Sequence, residues 1–397
     1  MRFFLIFFFA SFAYYALPGY LLPILTFFSW ACWVWPRSIT AQQVGSGYHG
    51  LGVGAFTLDW AGISAYHGSP LVAPWASIAN TAVGFVMFIY VIVPLCYWRF
   101  NTFDARRFPI FSNQLFTSTG QKYDTTKVLT ADFDLNVAAY DSYGKLYLSP
   151  LFAISIGSGF LRFSATVHAL SFLADLKLGH YMKIPPRCMY TAQLVGTVVA
   201  GVVNLAVAWW MLDSIDNICD VEALHPDSPW TCPKYRVTFD ASVIWGLIGP
   251  GRLFGQHGLY RNLVWLFVVG AVLPVPVWLL SRAFPEKKWI ALVNVPVISY
   301  GFAGMPPATP TNIASWLVTG TVFNFFVFRY RKGWWQKYNY VLSAALDAGT
   351  AFMGVLIFFA LQNAHHDLKW WGTEVDHCPL ATCPTAPGIV VKGCPVF

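Results

Sequence analysis

Charge is what this sequence has least of. Of its 397 residues only 11% are Asp, Glu, Lys or Arg, while 56% are hydrophobic and the mean hydropathy is +0.52. A water-soluble globule of this size needs more polar surface, so the composition excludes one and places the chain in a membrane. Acidic residues are the scarcer sign, 18 against 25 Lys and Arg, for a formal net charge of +7. In a soluble protein that balance would suggest nucleic acid. Here Lys and Arg sit mainly in short connectors, as the positive-inside rule requires, and no nucleic-acid partner is expected.

Metal and catalytic signatures are also missing. His49, His67, His168, His180, His225, His257, His365, His366 and His377 are scattered, with none of the H-x-x-H or H-x-x-x-H clusters of a membrane di-iron enzyme. The tail motif "DHCPLATCP" gathers Asp376, His377, Cys378 and Cys383 without the tight C-x-x-C spacing of a zinc site, so no metal is assigned. "GSGYHG" (Gly45 to Gly50) matches a dinucleotide-binding pattern letter for letter, but no strand precedes it and Gly52 and Gly54 continue the run, which reads as a loop. No Ser, His and carboxylate grouping stands out, and the chain does not read as an enzyme.

What is present is aromatic and apolar: 18 Trp, 19 Tyr and 34 Phe. The N-terminal run begins like a signal peptide after Arg2, but it stays apolar to Trp35 through Pro18, Gly19 and Pro23. It therefore reads as a membrane-embedded broken helix or hairpin. A span needs about 20 apolar residues. Leu71 to Trp98, Leu146 to Val167, Cys188 to Leu212, Leu263 to Leu280 and Tyr340 to Leu361 meet or approach that length. Trp289 to Ala303 and Ile313 to Phe328 flank the proline-rich "GMPPATPTN", and Ser242 to Leu253 breaks at Gly249, Pro250 and Gly251, as half-helices or re-entrant segments would. The expectation is an all-α polytopic transmembrane bundle of about seven to nine segments, some broken, forming a single domain over residues 1–397.

The connectors orient it. Arg282 to Lys288, Arg329 to Lys337, and the stretch carrying Lys177, Lys183 and Arg187 are cation-rich and predicted to be cytoplasmic. The acidic connector Asp213 to Asp240 and the tail 362–397 then fall on the opposite face, with the polar loop 99–145 capping the bundle from outside. Cys219, Cys232, Cys378, Cys383 and Cys394 lie in polar stretches and are candidates for disulfides there, with free thiols the alternative. Cys32, Cys96 and Cys188 lie in or beside apolar segments.

Ionisable groups at membrane depth carry the functional signal, because each is costly unless paired or wetted. Asp347 lies one to two turns inside the last long span among small residues and is the leading proton or gating candidate; a hydrogen bond to a neighbouring helix is the plainer reading. Asp59, among Gly and aromatics, is either a path residue or a loop cap, and Arg162 either a path residue or a side chain reaching the headgroups. Asn204, Asn294 and Asn324 are first interhelical hydrogen-bond formers and second site residues. Gly196, Ala200 and Gly201 would let their helix pack closely.

At "DLKLGHYMKIPPR" the chain resembles the oligopeptide transporter family, in its peptide-transporter branch, whose motif is met at Lys183, Ile184, Pro185, Pro186 and Arg187. "GLGVGAFTLDW", "GSPLVAPW", "WGLIGPGRLFG", "PPATPTN", "WWQKYNYVLSAALDAGTAF" and "DHCPLATCP" resemble further family blocks in the expected order, covering nearly the whole chain. The resemblance implies a plasma-membrane, multi-pass symporter that imports tetra- or pentapeptides, glutathione-like thiols or metal chelates with protons. Its energy source would be the proton gradient, with no cofactor; its partners would be peptide, protons and lipid. Two departures stand out. The family's N-P-G motif and its S-P-Y-x-E-V-R stretch do not appear. Nine residues separate His168 from Leu178 where the family has a sizeable loop and further spans. A member lacking its beginning and a middle piece, a non-transporting remnant or an assembly partner, is therefore the alternative.

Overall fold

The computed structural model describes residues 1–130, 134–163, 185–214, 216, 218, 239, 241–256, 258–301, 304–362, 366 and 368–396. Contacts divide it into two units, Met1–Arg162 with Ser242–Phe397, and Phe163–Ala241. Six described helices are long and apolar enough to cross a membrane. In chain order the helices used below are α1 (Arg2–Leu21), α2 (Ile39–Gly45), α3 (Trp60–Ser64), α4 (Trp75–Arg99), α5 (Pro150–Phe163), α6 (Arg187–Ser214), α7 (Val243–Phe254), α8 (Arg261–Ala283), α9 (Val295–Tyr300), α10 (Pro310–Tyr330) and α11 (Lys332–Gln362). One two-residue ribbon, β1 (Leu115–Phe116) against β2 (Tyr147–Leu148), lies in or beside the polar loop. The all-α membrane bundle expected from composition is what forms.

The smaller unit, where described, is essentially α6. Pro186 occupies the first turn of its helix, where the missing N–H costs no hydrogen bond. No residue in the middle of the span is fully buried, and Gly196 and Gly201 are exposed; Leu205, Trp209 and Trp210 show the apolar surface a helix offers lipid.

In the larger unit, α10 and α11 form an antiparallel pair turned at the cation-rich Arg329 to Lys337. This sets a basic end and, at the start of α10 and the far end of α11, an opposite one. α1 runs parallel to α11: Phe3 stacks on Tyr338 at 4.3 Å, Ser11 Oγ donates to the Leu346 carbonyl at 3.1 Å, and a Cβ at Gly19 would meet Ile357. Close approach is possible because Ser11 and Gly349 are small where the two backbones meet. α4 presents Ile78, Phe85, Ile89, Val93 and Tyr97 on one face at mostly four-residue spacing, and this stripe packs with Ile313 and Trp316 of α10 in the main core.

The N-terminal run is a helix broken at its end, as expected: α1 loosens around Pro18 and Gly19, and a short turn follows over Pro23–Thr26. The span expected from Leu71 starts only at Trp75, and Trp289 to Ala303 yields only the short α9. α7 turns at Gly249, whose φ of +73° is the left-handed conformation that glycine adopts without strain.

The chain between α2 and α4 is largely irregular, and helices satisfy its backbone. Ser315 Oγ accepts from Thr57 N at 3.0 Å, Asn312 Nδ2 donates to the Gly62 carbonyl at 2.9 Å and Trp316 Nε1 to Gly68 at 2.9 Å. Further along, Asn324 Nδ2 donates to the Pro70 carbonyl at 2.7 Å, Asn339 Nδ2 to Leu71 at 2.6 Å, and Ser343 Oγ to Ser69 Oγ at 2.6 Å. In lipid, non-helical backbone survives only when protein or a lined cavity provides such partners.

Two stability predictions follow from this packing. Asn339→Leu leaves the buried Leu71 carbonyl without its donor and should destabilise the detergent-solubilised chain by about 1–3 kcal/mol, read as a lower Tm; an unchanged Tm would sink the argument. Gly84→Ala should lower stability by about 1–3 kcal/mol, because a Cβ there overlaps the Ile298 carbonyl of the neighbouring α9 segment. Gly246→Ala, with nothing within 4 Å, is the neutral control.

Candidate functional site

Two features meet in the larger unit: the buried irregular segment with its carboxylates, and a cleft at the end opposite the basic connector. Asp59 is the N-cap of α3, its Oδ1 accepting from Ala61 N at 2.9 Å, so the capping reading holds. Trp60, next in sequence, reaches across to α11, where its Nε1 donates to Asp347 Oδ1 at 2.6 Å. The plainer reading of Asp347, a bond to a neighbouring element, therefore also holds. The residue that Asp347 meets is thus the sequence neighbour of Asp59; Asp59 is buried, whereas Asp347 is exposed on α11. The indole is a neutral donor, so this bond adds no opposite charge beside the Asp347 carboxylate.

The other candidates separate. Asn324 joins the segment to the helices, donating to Pro70 and accepting from Trp335 Nε1 at 3.2 Å. Asn294 caps α9, accepting from Val297 N at 3.1 Å, while its own N–H donates to Asn80 Oδ1 at 2.8 Å. Both are structural partners first, as their residue type suggested. Asn204 is exposed in the middle of α6, and Arg162 is the penultimate residue of α5. Pro185, Pro186 and Arg187 precede or open the helix of the smaller unit, while Lys183 and Ile184 lie outside the described residues.

The cleft has a volume of about 590 Å³. Its walls come from the loop after α2 (Tyr48, His49), the polar loop 99–145, the Pro306–Pro307 stretch before α10, and the tail (Thr382, Pro384, Lys392). Polar loop and tail thus share one end of the unit.

The tail is pinned in place. Cys32 bonds to Cys378 and Cys383 to Cys394, so Cys32, which the sequence placed in or beside an apolar segment and outside the disulfide candidates, joins them. Three hundred and forty-six residues separate the first pair, a distance over which sequence carries no pairing signal. The bonds take up Cys378 and Cys383 of the metal-like tail cluster. Cys96 and Cys188 are free, and Cys219 and Cys232 lie outside the described residues. Further pins are Gln43 Nε2 to the Cys383 carbonyl at 2.8 Å, Leu380 N to Gln42 Oε1 at 2.7 Å, and Thr385 N to the Arg106 carbonyl at 2.9 Å.

Beneath His49, Ser46 Oγ donates to the buried Asp376 Oδ2 at 2.6 Å and accepts from His49 N at 2.9 Å. Burial pushes the His49 imidazole below its ordinary range and Asp376 only partly opposes this, so His49 is neutral at pH 7. Sequence inspection missed Trp60, Gln43 and Ser46. Their signal was the dense "QQVGSGYHG" to "TLDW" stretch, whose side chains meet the tail and α11 only once the chain is folded.

Comparison with known proteins agrees with this architecture. The family model described as OPT oligopeptide transporter protein matches residues 1–168 and 160–361. Oligopeptide transporter 3 of Arabidopsis thaliana is 64% identical over an alignment of 526 residues that covers 100% of this chain and 71% of that protein. Oligopeptide transporters 4 and 7 of the same plant are each 42% identical across 100% of this chain and 72% and 68% of their own lengths. No solved structure matches significantly. A family match along most of the chain, relatives aligned over the whole of this chain and six apolar helices among the described residues agree: this chain belongs to the oligopeptide transporter family.

Proposed function

We propose that the chain carries small oligopeptides, of tetra- or pentapeptide size or glutathione-like, across the plasma membrane by symport with protons. The observation that supports this most is the irregular segment 57–72, sheathed by helix side chains and carrying Asp59 and Trp60 against Asp347. Broken backbone at membrane depth beside a carboxylate is how a bundle builds a solute path. The relatives' name, oligopeptide transporter, supplies the substrate class.

In this reading the cleft is the outer entrance and the cationic Arg329 to Lys337 turn faces the cytoplasm. Asp347 takes up the proton: neutralising it weakens its hold on Trp60 and frees α3 from α11, coupling protonation to movement of the irregular segment. Asp59, as the cap of α3, moves with it. The proton gradient is the energy source, no cofactor is needed, and the partners are peptide, protons and lipid.

A second reading, a non-transporting remnant or assembly partner, draws support from one feature. The family model matches in two stretches that meet at residues 160–168, and the alignment to oligopeptide transporter 3 runs over 526 positions although the chain has 397 residues. A segment the relatives carry there would be missing from this chain.

Vesicles containing only this polypeptide decide between them. Proton-driven uptake of labelled tetrapeptide or glutathione above empty vesicles is expected from the transporter, and its absence would favour the remnant. Asp347→Asn keeps an oxygen acceptor for Trp60 but cannot titrate. It should leave peptide exchange at equal pH intact and reduce pH-driven accumulation by a factor of about 10, within the usual range of coupling free energies.

A further inference from the structure

The mouth of the cleft has an unbalanced charge. Among the described residues its lining includes two cations, Lys122 and Lys392, and no carboxylate. The two come from segments 270 residues apart in sequence, yet the fold joins those segments beside them. Gln121 Nε2, one residue before Lys122, donates at 2.9 Å to the carbonyl of Val390, two residues before Lys392.

Each backbone is fixed independently. Lys122 pairs with Phe116 across a tight turn closed by Thr117 N to the Gln121 carbonyl at 2.9 Å. Lys392 lies within the loop that the Cys383–Cys394 disulfide closes. Nearby acidic groups are otherwise engaged. Asp124 Oδ1 caps the following turn through Thr126 N and Oγ1, and the buried Asp376 is held by Ser46 and Cys378 N beneath the floor.

The remaining wall suits a peptide. Asn113, Gln114 and Thr309 offer amide and hydroxyl groups for backbone hydrogen bonds, and Phe111 and Phe116 offer apolar surface. The volume falls within the range of about 300–1,000 Å³ typical of small-ligand sites. Two flexible ammonium groups on fixed stems at one rim make an anion-binding pair, and a short peptide always brings one anion, its terminal carboxylate.

We infer that Lys122 and Lys392 bind a peptide's carboxylate at the cleft mouth, so that the cleft selects short peptides with a free C-terminus or an acidic side chain over neutral-ended ones. This rests on the transport reading for its physiological meaning, but not for its test, which measures binding.

The full chain, purified in detergent, is titrated with tetraalanine, tetraalanine amide and a tetrapeptide amide containing one Glu. Both carboxylate-bearing peptides should bind about three- to tenfold more tightly than tetraalanine amide, the range that exposed ion pairs allow. If only one of them does, that arm identifies the carboxylate the pair reads. Lys122→Gln with Lys392→Gln should abolish the preference without weakening the amide, Lys122→Arg with Lys392→Arg should keep it, and high salt should suppress it. Equal affinities for all three peptides in the wild-type chain, no binding of any, or equal weakening of every peptide by the Gln pair would overturn the inference. Selective binding without vesicle uptake would leave it standing and remove the transport reading instead; uptake without selectivity would do the reverse.

Discussion

Everything in the larger unit depends on one constraint: an irregular stretch of backbone inside an apolar bundle must find hydrogen-bond partners that lipid cannot supply. Segment 57–72 finds them in Ser315, Asn312, Trp316, Asn324, Asn339 and Ser343, side chains of α10 and α11. Each is an uncharged donor or acceptor, so no charged helix side chain is spent on satisfying the segment's backbone. Because the partners come from two antiparallel helices, the same bonds also hold α10 and α11 in register around the segment.

The remaining packing serves that arrangement. α1 closes against α11 through Ser11 and Gly349, and α4 lays its apolar stripe along α10. Small residues let the backbones approach; aromatic ones fill the outer surface. Among the described residues, the irregular segment bonds a carboxylate of a span through Trp60, at Asp347. That bond ties the sheathed segment directly to α11.

At the cleft end the chain uses a different cement. Water is available there, so hydrogen bonds alone are worth less, and two disulfides with the Gln42 and Gln43 bonds hold the tail over the bundle. The result is a wall rigid enough to place Lys392 beside the Lys122 turn. The cleft is thus assembled from four stretches remote in sequence, each tied by its own covalent or hydrogen-bonded clasp.

How much of this was legible beforehand follows from the range of each interaction. Membrane embedding, the long apolar helices, the breaks near Pro18, Gly249 and the prolines before α10, the Pro186 helix start and the polar character of loop and tail are local, set by composition and the conformational limits of Pro and Gly. Family membership was readable too, since it lies in ordered blocks along the chain. Long-range pairing was not: Cys32 looked like a membrane thiol until the fold set it beside Cys378, and Asn324 and Asn339 carried no mark of the carbonyls they would meet. Sequence by itself determined which segments prefer lipid and which residues are capable of binding a proton, a carboxylate or a carbonyl. Only the tertiary structure decided which of them meet, because hydrogen bonds and disulfides act over a few ångströms while their partners lie tens to hundreds of residues apart.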